Sequence, residues 1–203
     1  IKADQVRSVG DTLEGGAEQG WYVPEFVVKG DSQRGIEPLA PDLRTWEDLA
    51  QYKALFRDPE QPDKGRFLNC PAGWVCEATN SRLLSLYSLD EHYTNFRAGT
   101  GAALDAAISS AHERGEPLLF YYWEPAGLMA KYRLHRIELP PFDQACWDVI
   151  VSGEGRPCPT DFLKARLAVA VSTPFAEQNP AITAFMERVS FEPEQLNQAI
   201  LEM

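Results

Sequence analysis

The stretch EPLLFYYWEP (116–125) is mostly apolar and only as long as a strand. That is the pattern of a strand covered on both faces inside a parallel sheet, where neither side meets water. It follows directly on AALDAAISSAHER, a helix that starts at Thr100 or Gly101 and stops at Gly115. The rest of the chain repeats this alternation. GRFLNC (65–70) reads as a strand, and Pro71-Ala72-Gly73 turns the chain into a helix reaching about Leu86. HYTNFRA (92–98), LHRIELP and KARLAVAVS (164–172) are strand-like, while NPAITAFMERV and PEQLNQAILEM are helical. Near the start, WYVPEFVV (21–28) is rich in β-formers but interrupted by Pro24, which suggests an edge strand or extended segment. Thr45 is placed to cap a helix over WEDLAQYKALF, with Glu47 and Asp48 in its first turn. Alternation of this kind predicts an α/β fold with mainly parallel strands.

In such sheets ligands sit beyond the carboxyl ends of the strands, where turns lead into helices. Two turns of that kind carry tryptophan: Trp74 after GRFLNCPAG, and Trp123 at the end of LLFYY. No internal repeat or low-complexity tract competes with this reading.

The net charge of −11 argues against a nucleic-acid backbone as partner, since that requires a basic face. No run approaches the roughly eighteen apolar residues of a membrane span. Residue 1 opens directly into IKADQV with no basic-then-apolar leader, so the expectation is that any export signal is already removed or was never present. Four cysteines form two close couples, Cys70 with Cys76 and Cys146 with Cys158. Four cysteines allow three pairings, and the spacing alone does not choose among them. Local pairing is the economical solution, because each couple closes a short loop containing proline and glycine. Two disulfides would indicate an oxidising compartment, the periplasm or the cell exterior. The alternative is free buried thiols. A zinc site is disfavoured, because neither couple has a two-residue spacing and His92, His112 and His135 are scattered. Neither a metal nor a cofactor is expected.

NCPAGWVCE (69–77) and GTGAALDAAISSAHERGEPLLFYYWEP (99–125) resemble the glycine-betaine-binding proteins of ABC importers. GGAEQGWYVP (15–24) and AVAVSTPFAEQNPAI (168–182) are similar to the same family. The specific signal is the cysteine-flanked PxGWxC turn together with YYWEP at the expected distance. The resemblance implies a two-lobed periplasmic-binding fold, type II-like, with ligand trapped in a cleft by hinge closure. It places residues 1–19 and 141–203 in part of lobe I and 20–140 in lobe II. Relatives carry a further N-terminal portion with cage aromatics of its own, so lobe I is expected to be incomplete. The implied partners are a small trimethylammonium ligand and a membrane permease, with the chain itself monomeric.

A quaternary ammonium has no N–H to donate, so what can hold it is the negative face of aromatic rings. Each ring contributes on the order of 0.5–2 kcal/mol, whereas micromolar binding needs about 8. Burial of the methyl groups and contacts to the polar tail must supply the remainder. Trp74 and Trp123 resemble the family's cage rings, with core packing as the alternative for each. Trp21 and Tyr22 are further candidates, although ordinary packing is the leading reading for both. Adjacent strand residues point to opposite faces, so at most one of that pair can enter the cleft. Trp46 and Trp147 are assigned to packing. The backbone N–H groups of Val75 and Cys76, at a helix start, offer a seat for a carboxylate. A Cys70–Cys76 bridge would stiffen that seat. Glu124, next to a cage ring, would balance an ammonium or accept from a hydroxyl, favouring choline or trimethylamine N-oxide. Its alternative is a salt bridge pointing away. Leu128 and its neighbours are apolar where some betaine binders carry a histidine, which weakens the case for glycine betaine itself. An extracellular enzyme using Glu124 with His112 or His135 is a distant alternative, since GxGxxG, GxSxG and HExxH are all missing. The expectation is therefore a binding component with no catalytic residue.

Overall fold

The computed structural model describes residues 5–203. In chain order come β1 (Val6–Val9), β2 (Gln19–Pro24) and the short α1 (Glu25–Lys29). They are followed by β3 (Gly65–Asn69), α2 (Val75–Leu86), β4 (Tyr93–Arg97), α3 (Gly101–Arg114) and β5 (Leu119–Trp123). The remainder is α4 (Gly127–Lys131), β6 (Leu134–Arg136), α5 (Gln144–Ser152), β7 (Val169–Ser172), α6 (Thr173–Gln178), α7 (Pro180–Met186) and α8 (Pro193–Leu201).

The apolar run at 116–125 becomes the middle strand of a five-stranded sheet ordered β4-β3-β5-β2-β6. Strands β4, β3 and β5 are parallel, as βαβ crossovers through α2 and α3 require. The expectation of mainly parallel strands needs one correction, because β2 runs antiparallel to both of its neighbours. The edge position suggested by Pro24 is also corrected. The proline is the last residue of an interior strand, where the next ladder donor is the Glu25 N–H, bonded to the Arg133 carbonyl at 3.0 Å. Residues 25–29 then coil into α1 rather than extending the strand.

Register decides which side chains share a face. Trp21 lies opposite Tyr121 and Gln19 opposite Trp123, while Phe67 pairs with both Leu119 and Asn95. These residues, with Asn69, therefore project to one side, the side covered by α2. Tyr22, Phe120 and Tyr122 project to the other, where the Tyr122 hydroxyl reaches Asp105 of α3 at 2.8 Å. Trp21, Phe67, Phe120, Leu83 and Leu104 have almost no exposed surface. Each such side chain adds roughly 1.5–3 kcal/mol of burial energy before conformational entropy is counted. Helix α3 begins where the Thr100 hydroxyl accepts the Ala103 N–H at 3.1 Å. It ends at Gly115, whose φ of 70° lies in the left-handed region open to glycine. The segment from Thr45 forms a 3-10 helix, Trp46–Tyr52, with the Asp48 carboxylate accepting the Thr45 N–H at 2.8 Å.

The chain divides into two units. The second comprises Gln19–Trp123 and Tyr132–Leu163, and contains the five-stranded sheet with α1, α2, α3 and α5. The first comprises the described residues up to Glu18, with Glu124–Lys131 and Lys164–Met203. Its two-stranded antiparallel sheet, β1 with β7, packs Val9, Val171 and Ala176 into a small core. Elsewhere in this unit α4 lies so close to α8 that a Cβ on Gly127 would stand 3.0 Å from the Leu201 Cα. These divisions differ from the expected boundaries. Residues 141–163 belong with the larger unit, because Arg82 of α2 donates to the carbonyls of Ile150 and Val151 at the end of α5. Residues 124–131 belong with the smaller, tied to it by Asn197, which accepts from the Ala126 N–H and donates to the Glu124 carboxylate. Among the described residues no helix is long and apolar enough to cross a membrane.

Candidate functional site

Strand β3 ends at Asn69, and the next five residues, CPAGW, turn the chain into α2. Gly73 makes the turn with φ of 85°, and the Trp74 N–H closes it on the Pro71 carbonyl at 3.2 Å. Trp74 is the extended residue just before the helix, so its ring projects away from the helix axis and remains 44% exposed. Cys70 and Cys76 are joined across the turn, and Cys146 is joined to Cys158. At the helix start the N–H groups of Val75 and Cys76 have no carbonyl one turn earlier within the helix to bond.

Trp74 meets Trp123, the last residue of β5, with ring centroids 5.8 Å apart and planes tilted by 58°. Together with Trp147 of α5 they line a cleft of about 540 Å³. Gln19 and Tyr121 form part of its wall. The Tyr121 hydroxyl donates to the Gln19 Oε1 at 2.7 Å, and the Gln19 amide donates to the Leu163 carbonyl at 2.9 Å. Burial pushes the Tyr121 phenol well above its ordinary value, so the hydroxyl stays protonated and keeps that bond. Behind the Trp74 ring stands Gly101, where a Cβ would lie 3.4 Å from the indole, so the start of α3 backs the ring. The surfaces offered to a ligand are thus indole faces, one disulfide-closed turn and two helix-start N–H groups. Among the described residues no group of His, Cys, Asp or Glu side chains could hold a metal.

A buried carboxamide relay holds the Trp74 turn against the sheet. The Asn69 Oδ1 accepts from the Cys70 N–H at 2.8 Å and from the Asn80 Nδ2 at 2.7 Å. Its Nδ2 donates to the Glu77 carbonyl at 3.2 Å and to the Asn95 Oδ1 at 3.0 Å. The relay continues on both sides, from the Trp21 indole N–H to the Asn80 Oδ1 at 2.8 Å and from the Asn95 Nδ2 to the Ser81 hydroxyl at 2.7 Å. Amide orientation is forced at both ends, since an N–H can only donate and a carbonyl can only accept. All four hydrogen-bonding positions of the Asn69 amide are filled, linking β3, β4 and the first turns of α2, and Asn80 extends the relay to β2.

The OpuAC family, described as "Substrate binding domain of ABC-type glycine betaine transport system", matches residues 1–203. The chain belongs to this family. Its members are substrate-binding components of transport systems and not enzymes. Among solved structures, the chain is similar to lactococcal OpuAC in its closed-liganded conformation complexed with glycine betaine, with 16% identity and a TM-score of 0.58. That match covers 97% of this chain and 61% of the other. An ABC-transporter choline binding protein in complex with choline matches at 15% identity and a TM-score of 0.56, covering 97% and 56%. The glycine betaine/L-proline-binding protein ProX from Borrelia burgdorferi matches at 14% and 0.58, covering 95% and 57%. At these identities the likeness shows the fold, the two-lobed periplasmic-binding architecture. The chain spans about three fifths of the length of each of these structures.

Within this OpuAC-family chain the expected site residues separate into two groups. Trp74, Val75, Cys76 and Trp123 all line the one cleft. Trp21, Tyr22 and Glu124 are placed elsewhere. Trp21 is wholly buried under α2 with its N–H bonded to Asn80, and Tyr22 is buried on the opposite face near Phe120. Glu124 accepts from the Asn197 Nδ2 at 3.0 Å inside the smaller unit. Burial raises its carboxyl above the usual range, with Glu18 and Glu194 adding to the effect. Three cleft residues were not among the expected ligand contacts: Gln19, Thr79 and Trp147. For Gln19 a signal existed, since it faces Trp123 if GGAEQGWYVP pairs with LLFYYW. Trp147 was assigned to packing, and it does pack, edge-on to Phe162 at 5.8 Å, while also reaching the cleft. Trp46 stacks on Tyr87 at 4.4 Å, away from the cleft as expected.

Proposed function

We propose that this chain captures a small trimethylammonium compound, glycine betaine or choline, with its methylated nitrogen against the indoles of Trp74 and Trp123. The observation that carries this reading is the meeting of those two rings, from turns 49 positions apart, at one open cleft. Indole faces attract a cation that cannot hydrogen-bond, and the same faces exclude water from its methyl groups. The Val75 and Cys76 N–H groups, at the positive end of α2, suit a carboxylate or hydroxyl oxygen on the ligand's tail. Family membership and the choline and glycine betaine held by two of the similar structures support the same ligand class. Trimethylamine N-oxide is a third member of that class.

On this reading the two units contribute to the two lobes of a binding protein, the chain works as a monomer, and it delivers ligand to an ABC permease. The two disulfides favour an oxidising, exported location. The test is parallel calorimetric titration of glycine betaine, choline and trimethylamine N-oxide, repeated with Trp74→Ala and Trp123→Ala. Loss of one ring's contact with the cation predicts a drop of about 2- to 30-fold per variant, with circular dichroism unchanged. Affinity that survives both substitutions removes the rings from the site.

A further inference from the structure

We propose that Trp147 is a specificity-determining residue: it walls off the end of the cleft away from the Trp74–Trp123 pair and so limits the length of the ligand's tail. The inference rests on the trimethylammonium reading above and adds to it which members of that class are admitted.

Trp74 and Trp123 meet directly, whereas Trp147 reaches them by way of other rings. Trp123 lies 5.9 Å from Tyr121, Tyr121 lies 5.6 Å from Phe162, and Phe162 lies 5.8 Å from Trp147. Trp147 thus borders the same cleft as the pair and is joined to it by way of Phe162 and Tyr121. Trp147 is only 9% exposed and borders the cavity.

The wall is fixed at both ends of its helix. At the start of α5 the Asp143 carboxylate accepts the Cys146 N–H at 2.9 Å, and Cys146 is bonded to Cys158. At the other end the Arg82 guanidinium donates to the Ile150 and Val151 carbonyls at 2.6 and 2.8 Å. Arg82 stands on α2, the helix that begins just after Trp74, so that helix also holds the end of α5. A wall held this way cannot step back to admit a longer tail without breaking those bonds. Shortening the side chain removes the obstacle and leaves the bonds in place.

The test titrates choline, glycine betaine and carnitine, the last a trimethylammonium acid with a longer tail, against the parent chain, Trp147→Ala and Trp147→Phe. Opening the end wall should raise the ratio of carnitine to choline affinity by about tenfold in the alanine variant, and by less in the phenylalanine variant, which preserves the contact with Phe162. An unchanged ratio in both variants, or an equal loss for all three ligands, overturns the proposal while leaving the trimethylammonium reading intact. If the parent chain binds none of the three, the reading fails and the assignment of Trp147 fails with it. Should the alanine variant fold poorly, the ratio in Trp147→Phe decides.

Discussion

Replacing Asn69 with leucine should be one of the most destabilising single changes in the larger unit, although it swaps a polar residue for an apolar one of similar size. The substitution leaves two fully buried donors without an acceptor, the Cys70 N–H and the Asn80 side-chain amide. Each orphaned donor costs roughly 1–3 kcal/mol, giving about 2–6 together. Burial of the leucine side chain returns part of this, about 1–2 kcal/mol. The expected net loss is therefore about 1–4 kcal/mol, or a fall in Tm of roughly 2–16 °C for a chain of this size. Asn80→Leu alone strands the Trp21 indole N–H instead. Because residues 69 and 80 bond each other, the double variant should cost less than the sum by about 0.5–3 kcal/mol. Urea unfolding followed by tryptophan emission is a clean assay, since all five tryptophans lie in the larger unit. A loss below about 0.5 kcal/mol for Asn69→Leu, or strict additivity in the cycle, would refute the claim that the relay is a connected structure.

Asp58 accepts from Arg66, from the Glu60 and Gln61 N–H groups and from the Thr94 hydroxyl, and the Arg66 guanidinium in particular holds its carboxyl far below the usual range. The unfolded chain then takes up a proton near pH 4 while the folded chain does not, so this stabilisation is present above that pH and is lost as pH falls below it. Asp58→Asn should cost about 3 kcal/mol at pH 7, and urea titrations should show the gap to the parent narrowing at pH 3; a gap independent of pH counts against the assignment. Glu124 has the opposite sign, because its raised carboxyl binds a proton more tightly in the folded state, so its contribution grows as pH falls. Glu124→Gln keeps an acceptor for Asn197 and no longer buries a charge. Circular-dichroism melts at pH 7 should show stability equal to or above the parent, with choline affinity unchanged; weaker binding would return Glu124 to the site.

Most of the sheet could be read from the chain because its strands are short, apolar and bounded by punctuation. Gly115 closes α3, Pro71-Ala72-Gly73 opens α2, and the run 116–125 has no other place than an interior strand. The direction of β2 could not be read, since pattern reports burial and not orientation. Helix α5 was missed for a related reason: in ACWDVIV the apolar residues are too dense to show a helical stripe. That omission also concealed Trp147, which a helix beside Phe162 brings to the cleft. Trp74 and Trp123 were legible because each stands at a strand end where the chain turns, whereas Trp21, inside a strand, belongs to the core.

The groups joining Trp21 to Ser81 through three asparagines are an indole, carboxamides, a hydroxyl and backbone amides. None of them gains or loses a proton over the range in which carboxylates and imidazoles change charge. The turn bearing Trp74 is thus held by a brace indifferent to acidity, and a quaternary nitrogen is equally indifferent. Host and guest would keep their shapes and charges together as the surrounding medium acidifies or turns alkaline.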